Sequence, residues 1–406
     1  MYNFWIRFIS CFIISKQRRE AFRERHLRGA GQDNLTEAIF SLILTGVDNS
    51  INDSQIAEIF GKDCMVLDKE GISSNLSFLF SKPLLEYKGK GHPKYVLIWG
   101  SQNKKRQAEL AVKALAERIP IIRMEDGFLR SADTWCNTAI DKRYTEGISF
   151  TFSNDVHYFD ATRSSMMERL INDRNLTFSP VQLARARRCI DFITRNYLTK
   201  YNHQPIYTPI IGNRGRPKVL VIDQSYGDFS ISKGLANDET FERMLYAAQQ
   251  ENPQADIIIK THPDIMASGT YRTRGYYTGY KQHDSVYTLT TPVNPISLIK
   301  LCNKVYVCST QFGFEALMCG KEVHTFGMPF YAGWGLTQDA LSCPRRTNRR
   351  SLEEIFYIAY ILYSYYVNPL TGKRCEIEEA MDYLLAIRKE YFQKFNIRDE
   401  RETSPS

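Results

Sequence analysis

The sequence lacks the motifs that define metal, redox and nucleic-acid proteins. Its nine cysteines form no CxxC pair, and its seven histidines show no HExxH or Cys/His ligand spacing. These features predict reduced, buried thiols in a cytoplasmic protein without a metal or other cofactor. No RNP, KH, zinc-finger or basic-zipper pattern accompanies the net charge of +8. We therefore expect an anionic partner that is not nucleic acid.

A long apolar segment is also missing. The apolar stretch at residues 1–15 is interrupted by Arg7 and is too short to span a bilayer. Its basic cluster comes afterwards, which is the reverse of a secretory signal. Two interpretations remain, an ordinary packed helix or an in-plane anchor on anionic headgroups. On the second interpretation, residues 1–28 hold a peripheral protein at the inner face of the cytoplasmic membrane.

Short β-branched runs alternate with amphipathic helical patterns, which is typical of parallel α/β sheets. The runs fall into two groups on either side of the Pro- and Gly-containing segment 202–218. We therefore predict an α/β fold with two lobes, which a chain of 406 residues is long enough to build. The predicted strands are 64–68, 95–100, 119–124, 148–152, 218–223, 256–260, 304–309 and 322–326.

The predicted boundaries follow from this pattern. An N-terminal lobe, with a helical segment at its start, covers 1–210, and a C-terminal lobe covers 211–345. Strands are expected to stop after residue 345, where two amphipathic helices fill 346–396. Ser351 and Glu354 form a capping box at the start of the first helix. The polar residues 397–406 are expected to form a disordered tail.

Residues 304–327 predict a strand, a turn and a helix that together suit a nucleotide. The strand ends at Ser309 and Thr310, Gln311 follows, and Glu315 lies one turn into the helix. Free N–H groups at the helix start can bind a phosphate, and Glu315 can accept hydrogen bonds from ribose hydroxyls. The alternative is that Ser309 and Thr310 only cap the helix while Glu315 faces water.

A second strand end carries Lys260 and His262 in the run IIIKTHPD. Ligands of open α/β sheets bind beyond the carboxyl ends of strands, so His262 can protonate or hydrogen-bond a leaving phosphate. Lys260 points to the same face and adds positive charge. The competing interpretation of His262 is a structural loop histidine.

Carboxylates end two further strands. Asp223 and Asp228 lie in VLVIDQSYGDFSISKG, where each is a nucleophile at an anomeric carbon or a turn-former. Glu125 and Asp126 lie in RMEDGFLRS, and paired carboxylates at a strand end suit general acid/base chemistry. Which of Glu125 and Asp126 acts is left open by the sequence.

The runs EDGFLRS, KTHPD, STQFGFEAL, GMPFYAGWGLT, CPRR and YVNPLTGKRC, in this order between about residues 95 and 385, resemble the retaining β-Kdo transferases. This family includes the KpsC-type capsule polysaccharide transferases and the β-Kdo transferase module of WbbB-type O-antigen chain terminators. The single module of this chain looks closer to the WbbB type. The resemblance implies two Rossmann-like lobes in a GT-B-like arrangement, with the acceptor on the first lobe and the donor on the second.

The resemblance also implies chemistry. It implies transfer of Kdo, a 3-deoxy-octulosonic acid, from CMP-Kdo with retention, by double displacement, without a metal ion. Asp228 matches the candidate nucleophile, although Tyr226 and Gly227 stand before it where acidic residues are expected. Lys260 and His262 match the element near the CMP phosphate. Ser309, Thr310, Gln311 and Glu315 match the nucleotide-binding helix.

Further partners and alternatives complete the prediction. The acceptor is expected to be a lipid-linked glycan, an O-antigen chain terminus or a capsule linker, and further domains of a longer polypeptide are possible partners. Rival functions are another CMP- or CDP-dependent transferase, of sialyltransferase or glycerophosphotransferase type, and a non-catalytic glycan-binding module. Trp135, Tyr331 and Trp334 are candidate sugar platforms, against the commoner role of aromatic side chains in the core.

Overall fold

The structure is a computed structural model that describes residues 96–99, 121–134, 137, 139–153, 155–261, 274–371 and 373–401, with the backbone alone at 96–99, 121–122 and 373. The predicted strand at 64–68, the predicted anchor at 1–28, Trp135 and His262 lie outside the described residues. Within the described part, no helix is long and apolar enough to cross a membrane.

The first sheet begins with β1 (Val96–Trp99), β2 (Ile121–Asp126) and β3 (Ser149–Ser153). β1 and β2 are parallel, whereas β2 and β3 are antiparallel. Helices α1 (Met166–Asn172) and α2 (Pro180–Arg195) follow. Ser179 and Gln182 form a capping box on α2, and Pro180 occupies its first turn, where a missing N–H breaks no helical hydrogen bond.

The second sheet contains six strands, all paired in parallel, in the order β6-β5-β4-β7-β8-β9. This order is the Rossmann arrangement, with a topological switch point between β4 and β7. The strands are almost continuously apolar because both faces of the sheet are buried. Their bounds are β4 (Lys218–Ile222), β5 (Asp256–Lys260), β6 (Val286–Leu289), β7 (Lys304–Val307), β8 (Glu322–Thr325) and β9 (Gln338–Asp339).

Four helices connect these strands: α3 (Phe229–Lys233), α4 (Asp238–Glu251), α5 (Pro295–Leu301) and α6 (Phe312–Met318). Gly320, which follows α6, has a φ of +71°, the left-handed conformation in which a glycine commonly ends a helix. The α/β fold class is therefore confirmed, and the second lobe has the parallel sheet that the strand pattern predicts.

The C-terminal region corrects one prediction. It contains α7 (Leu352–Phe356), a π-helical turn (Tyr357–Leu362), β10 (Ser364–Asn368), β11 (Lys373–Cys375) and α8 (Ile377–Phe395). The capping box of Ser351 and Glu354 is confirmed, but the helix expected over 351–367 stops early. The run SYYV is buried and pairs with β3, because aromatic and β-branched residues suit a strand once a sheet edge is available.

β10 and β11 complete the first sheet, whose order is β1-β2-β3-β10-β11. β3, β10 and β11 pair antiparallel, so the expectation of a parallel sheet fails in the first lobe beyond β1 and β2. The expected disordered tail is also wrong in part. Ile206 exchanges backbone hydrogen bonds with Arg398 and Glu400, of 3.0 and 2.9 Å, which fixes residues 397–401 against the chain.

One core cluster joins the two lobes to the C-terminal region. Its aromatic centre includes Phe128 of the first lobe, Phe314 of α6 and Tyr360 of the π-helical turn. Tyr360 stacks on Phe128 with ring centroids 4.8 Å apart and on Phe314 at 5.6 Å. Burial of these rings fixes the carboxyl end of β2 near the start of α6.

Candidate functional site

The switch point of the second sheet carries the first group of predicted site residues. Gln224 follows β4 and Ser309 follows β7, and their side chains meet between the two strands. The Gln224 amide donates to the Ser309 Oγ at 3.2 Å, and its carbonyl accepts from the Ser309 N–H at 3.1 Å. Because ligands of open α/β sheets bind at this crevice, the Gln224–Ser309 pair forms its floor.

Thr310 and Gln311 continue this rim. The Thr310 Oγ1 accepts from the Phe312 N–H at 3.3 Å, and the Thr310 carbonyl accepts from the Tyr331 hydroxyl at 2.7 Å. The Gln311 side chain donates across the lobes to the Phe128 carbonyl at 2.9 Å. Thr310 therefore shapes the turn, as the alternative interpretation of the sequence has it, while Gln311 joins the two lobes.

The loop after β4 is built around Asp223. Its carboxylate is buried and accepts backbone N–H groups of Gln224 and Tyr276, each at 2.8 Å. Burial raises the pKa of Asp223 to about 6, against the lowering effect of these hydrogen bonds. Asp223 thereby fixes the loop rather than facing a substrate.

Asp228 begins α3 from a half-buried position. Its Oδ1 accepts from the Ser230 N–H at 2.9 Å and from the Ser230 hydroxyl at 2.7 Å. Gly227 before it has a φ of +73°, a conformation that side-chain-bearing residues rarely adopt, so the turn depends on glycine. The turn-forming role that the sequence leaves open for Asp228 is present, and it orients one carboxylate oxygen.

Contacts along α3 hold Asp228 against the first lobe. The Lys233 ammonium lies 2.8 Å from the Asp160 carboxylate, and the Lys233 carbonyl accepts from the Ala161 N–H at 2.8 Å. Phe159 packs edge-on to Phe229 at 6.3 Å. The carboxylate at the start of α3 is thus positioned by groups from both lobes.

In the first lobe, β2 ends in Glu125 and Asp126. Asp126 is buried and forms an ion pair with Arg130 at 2.7 Å. Gly127 packs so closely on β3 that a Cβ would overlap the Ser149 side chain, which keeps the strand end straight against its neighbour. The two adjacent carboxylates therefore have different environments, because among the described residues only Asp126 has a guanidinium partner.

Glu125 has a raised pKa. Burial raises its pKa to about 7, and the charges of Asp126 and Asp228 add to the rise while Lys200 opposes it. Because the charge of Asp228 acts on Glu125, these two predicted catalytic residues lie within electrostatic range of each other across the lobes. A carboxyl group with a pKa near 7 suits proton transfer at neutral pH.

Glu315 lies inside the lobe junction. It is buried, and its carboxylate accepts from the Gln311 amide at 3.3 Å and from the Lys200 backbone N–H. Burial raises its pKa to about 7, against the lowering effect of these partners. The alternative interpretation, in which Glu315 faces water, is therefore wrong. The predicted contact of Glu315 with ribose stays a prediction.

Lys260 is also buried at the end of β5. Its ammonium donates to the Thr261 carbonyl at 2.9 Å, and burial lowers its pKa to about 8 against the charge of Asp223. His262 follows outside the described residues. The structure therefore brings Lys260 close to Asp223, and the predicted phosphate contact of the Lys260–His262 element stays a prediction.

Two expectations about aromatic residues are wrong. Tyr331 and Trp334 are fully buried, so neither is a sugar platform. The Trp334 indole donates to the Phe330 carbonyl at 2.8 Å.

In the CPRR run, Arg346 binds Glu168 at 3.0 Å and the carbonyls of Pro329 and Ala332 at 2.6 and 2.7 Å. The GMPFYAGWGLT and CPRR runs therefore contribute buried side chains to the lobe junction. Charge and aromatic content alone do not distinguish such core residues from surface residues.

Sequence reasoning missed three residues of this site. No sequence motif marks Gln224. Its position directly after the first strand of a Rossmann sheet is the signal that could have identified it. Tyr158 packs on Phe128 at 5.0 Å, and burial together with Glu125 and Asp126 raises the pKa of its hydroxyl well above the usual value. Lys200 lies far from Glu125 and Glu315 in sequence, so only the folded chain brings its charge to them. Across the described residues, no group of three His, Cys, Asp or Glu side chains could hold a metal ion.

The chain is similar to proteins of capsule polysaccharide biosynthesis. The model of the family described as capsule polysaccharide biosynthesis protein matches residues 207–374. Among solved structures, the β-Kdo 2,4 transferase of Thermosulfurimonas dismutans KpsC is 39% identical, with a TM-score of 0.66, over 74% of this chain and 89% of that chain. The β-Kdo 2,7 transferase of the same KpsC is 30% identical, with a TM-score of 0.51, over 72% and 84%.

Similar proteins of other bacteria are longer. The capsule polysaccharide modification protein LipA of Neisseria meningitidis serogroup A is 38% identical over 310 residues, which are 74% of this chain and 42% of that protein. The lipopolysaccharide-processing protein LpsZ of Rhizobium meliloti is 34% identical over 291 residues, 71% and 63% of the two chains. The aligned part of this chain thus spans about two fifths of LipA.

Proposed function

Since this chain belongs to the KpsC family of β-Kdo transferases, which are glycosyltransferases, we propose that it transfers Kdo from CMP-Kdo onto a bacterial surface glycan with retention of configuration. The observation that carries this proposal is the proximity of Asp228 and Glu125, contributed by different lobes. The acceptor is a lipid-linked glycan, either a capsule linker or an O-antigen chain terminus. The predicted likeness to the WbbB-type module stays a prediction.

Double displacement assigns one role to each carboxylate. In the first step an oxygen of Asp228 forms a bond to the anomeric carbon, and the bond from that carbon to the phosphate oxygen breaks, so CMP leaves with the electron pair. In the second step the acceptor hydroxyl attacks the same carbon, its proton passes to Glu125, and the Asp228 carboxylate is released. Ser230 orients Asp228, and Asp126, neutralised by Arg130, supports the strand end.

The donor is expected in the crevice at the switch point of the second lobe. Ser309, Thr310 and Gln311 lie at its rim, and Gln224 forms its floor with Ser309. Lys260 and His262 follow the neighbouring strand and are proposed to lie near the phosphate. Cytidine monophosphate carries little charge, so the transfer does not require a metal ion.

An assay with purified chain, CMP-Kdo and a synthetic Kdo-terminated acceptor tests the function. We expect one Kdo added with the β configuration, determined by NMR of the product. Transfer from CMP-sialate or CDP-glycerol instead would support the rival enzymes. Binding of the glycan without turnover of any donor would support the non-catalytic module.

The same product addresses the linkage. Of the two KpsC modules compared, this chain is more similar to the one named a 2,4 transferase, at 39% against 30% identity. We therefore expect a β-2,4 linkage, and long-range carbon–proton NMR correlations distinguish it from β-2,7.

Association with the inner face of the cytoplasmic membrane is part of the proposal. It rests on residues 1–28, which combine an apolar stretch with a basic cluster. In a liposome flotation assay, the chain should float with anionic vesicles, and a chain without residues 1–28 should not. Flotation that survives the deletion would locate the contact elsewhere.

A further inference from the structure

Lys200 lies in a segment that is held rigidly against the first lobe. Its carbonyl accepts backbone N–H groups of Arg130 and Ser131, at 3.0 and 3.2 Å. Two residues later, Asn202 binds the Ser131 carbonyl through both its backbone and its side chain. The backbone of Lys200 is therefore fixed beside the loop that follows the Glu125–Asp126 strand end.

Lys200 also contacts the second lobe. Its backbone N–H donates to the buried carboxylate of Glu315 in α6. Its positive charge acts on both Glu315 and Glu125. Lys200 is thus placed where the two lobes meet, within electrostatic range of one carboxyl group from each.

Among the described residues, the ammonium of Lys200 has no carboxylate partner within 4.0 Å, and it lies 5.9 Å from the centroid of the Tyr201 ring. The neighbouring cation, Arg130, is already neutralised by Asp126. Lys200 itself is half-buried. A half-buried ammonium that forms no ion pair can still accept an anion from the solvent side, so this position suits an anionic ligand.

The proposed donor sugar carries such an anion in the required place. A 3-deoxy-octulosonic acid bears its carboxylate directly on the anomeric carbon, which has to approach Asp228 and Glu125. Without a compensating cation, this carboxylate would be repelled by Asp228 at the moment of binding. We propose that the Lys200 ammonium binds the carboxylate of the donor sugar, a role that rests on the function proposed above.

The test compares two ligands that differ only in the sugar acid. CMP has a phosphate and no carboxylate, whereas CMP-Kdo has both. Lys200→Met removes the charge and keeps the length of the side chain, and Lys200→Arg restores the charge. Lys300→Met is the matched control, because Lys300 is an exposed lysine that packs on the Tyr197 ring at 3.8 Å, outside the site.

Two measurements are made on each variant. The first is the thermal shift produced by CMP and by CMP-Kdo in the absence of acceptor, which reports occupation of the donor site without transfer to an acceptor. The second is steady-state kinetics with CMP as a competitive inhibitor. For Lys200→Met we expect a KM for CMP-Kdo raised about 10- to 100-fold, as for loss of a charged hydrogen bond. The Ki of CMP and the KM of the acceptor should stay within about twofold, which lies inside the scatter expected for a change that removes no contact.

The additional thermal shift from the sugar acid should disappear in Lys200→Met and return in part in Lys200→Arg. Equal weakening of CMP would overturn the proposal and assign Lys200 to the phosphate. A rise in the acceptor KM alone would overturn it in favour of an acceptor carboxylate, and unchanged constants would overturn it outright. If CMP-Kdo stabilises the wild-type chain no more than CMP does, the proposed donor is wrong. If CMP-Kdo stabilises the wild-type chain more than CMP does and this difference survives in Lys200→Met, the donor is right but Lys200 does not bind its carboxylate.

Discussion

The charged groups at the end of β2 in the first lobe and at the switch point of the second lobe have different environments. At the end of β2, Asp126 is neutralised by Arg130, whereas the adjacent Glu125 has no ion-pair partner among the described residues. At the switch point of the second lobe, Asp223, Ser309 and Lys260 are all hydrogen-bonded within the lobe. In the proposed mechanism, proton transfer therefore belongs to the first lobe, while the second supplies a fixed crevice and one carboxylate, Asp228.

The largest expected effect comes from that carboxylate. Asp228→Asn keeps the shape and the bond from Ser230 but removes the negative charge, so turnover should fall by at least about 10³-fold while CMP still binds. Glu239→Gln, an exposed change in the same lobe, is the control. Mass spectrometry of wild-type chain trapped with CMP-Kdo should find one Kdo on the peptide containing Asp228. Wild-type activity in Asp228→Asn would leave Glu125 and Asp126 as the leading catalytic carboxylates.

A comparison of Glu125→Gln with Asp126→Asn sharpens the contrast within β2. We expect Glu125→Gln to lower kcat by about 10²- to 10³-fold with little loss of stability. As a base, Glu125 has to be deprotonated, so the wild-type rate should rise as the pH increases through about 7. Asp126→Asn should mainly destabilise the fold, because it leaves Arg130 buried without its charge partner. A rate that still rises through pH 7 in Glu125→Gln would contradict the assignment.

The junction that aligns the two strand ends is tested through Arg346, which is buried between Glu168 of α1 and the carbonyls of Pro329 and Ala332. Arg346→Met should lower the free energy of unfolding by about 3 kcal/mol, since Arg345 still neutralises Glu168. Chemical denaturation measures this, with the exposed Arg349→Met as control. Equal stabilities of the two variants would show that the cluster does not hold the lobes together.

The smallest effect concerns Glu315 and depends on pH. Its pKa is raised from 4.5 to about 7, so the folded chain holds this proton more tightly than the unfolded chain. The stability associated with the protonated group is complete below pH 4.5 and is lost as the pH rises through 7. Glu315→Gln should therefore unfold at a higher temperature than wild type at pH 8 and at a similar one at pH 4.5.

Glu322→Gln is the matched control for this prediction. Hydrogen bonding to His324 lowers the pKa of Glu322, so its replacement should not stabilise the chain at pH 8. If Glu315→Gln is no more stable than wild type at pH 8, Glu315 is not the buried carboxyl group that the lobe junction implies.

The difference between the two lobes also explains how much of the fold could be predicted. The second lobe is built from consecutive strands and helices, so runs such as DIIIK and KVYV identify strands in a parallel sheet. The first sheet takes β10 and β11 from the far end of the chain, and SYYV has no local signal that separates a buried strand from a buried helix. The alternation of strand and helix patterns therefore predicts the sheet of the second lobe correctly but not that of the first.

The sequence by itself determined the α/β class, the location of most strands, and the carboxylates at strand ends, because these depend on local periodicity and on residue type. Only the tertiary structure decided which carboxylates are neutralised, which rings are core, and that the charge of Lys200 acts on both Glu125 and Glu315. The physical reason is that pairing, burial and electrostatic shifts depend on distances between residues far apart in the chain. Those distances exist only once the aromatic core has packed the two lobes together.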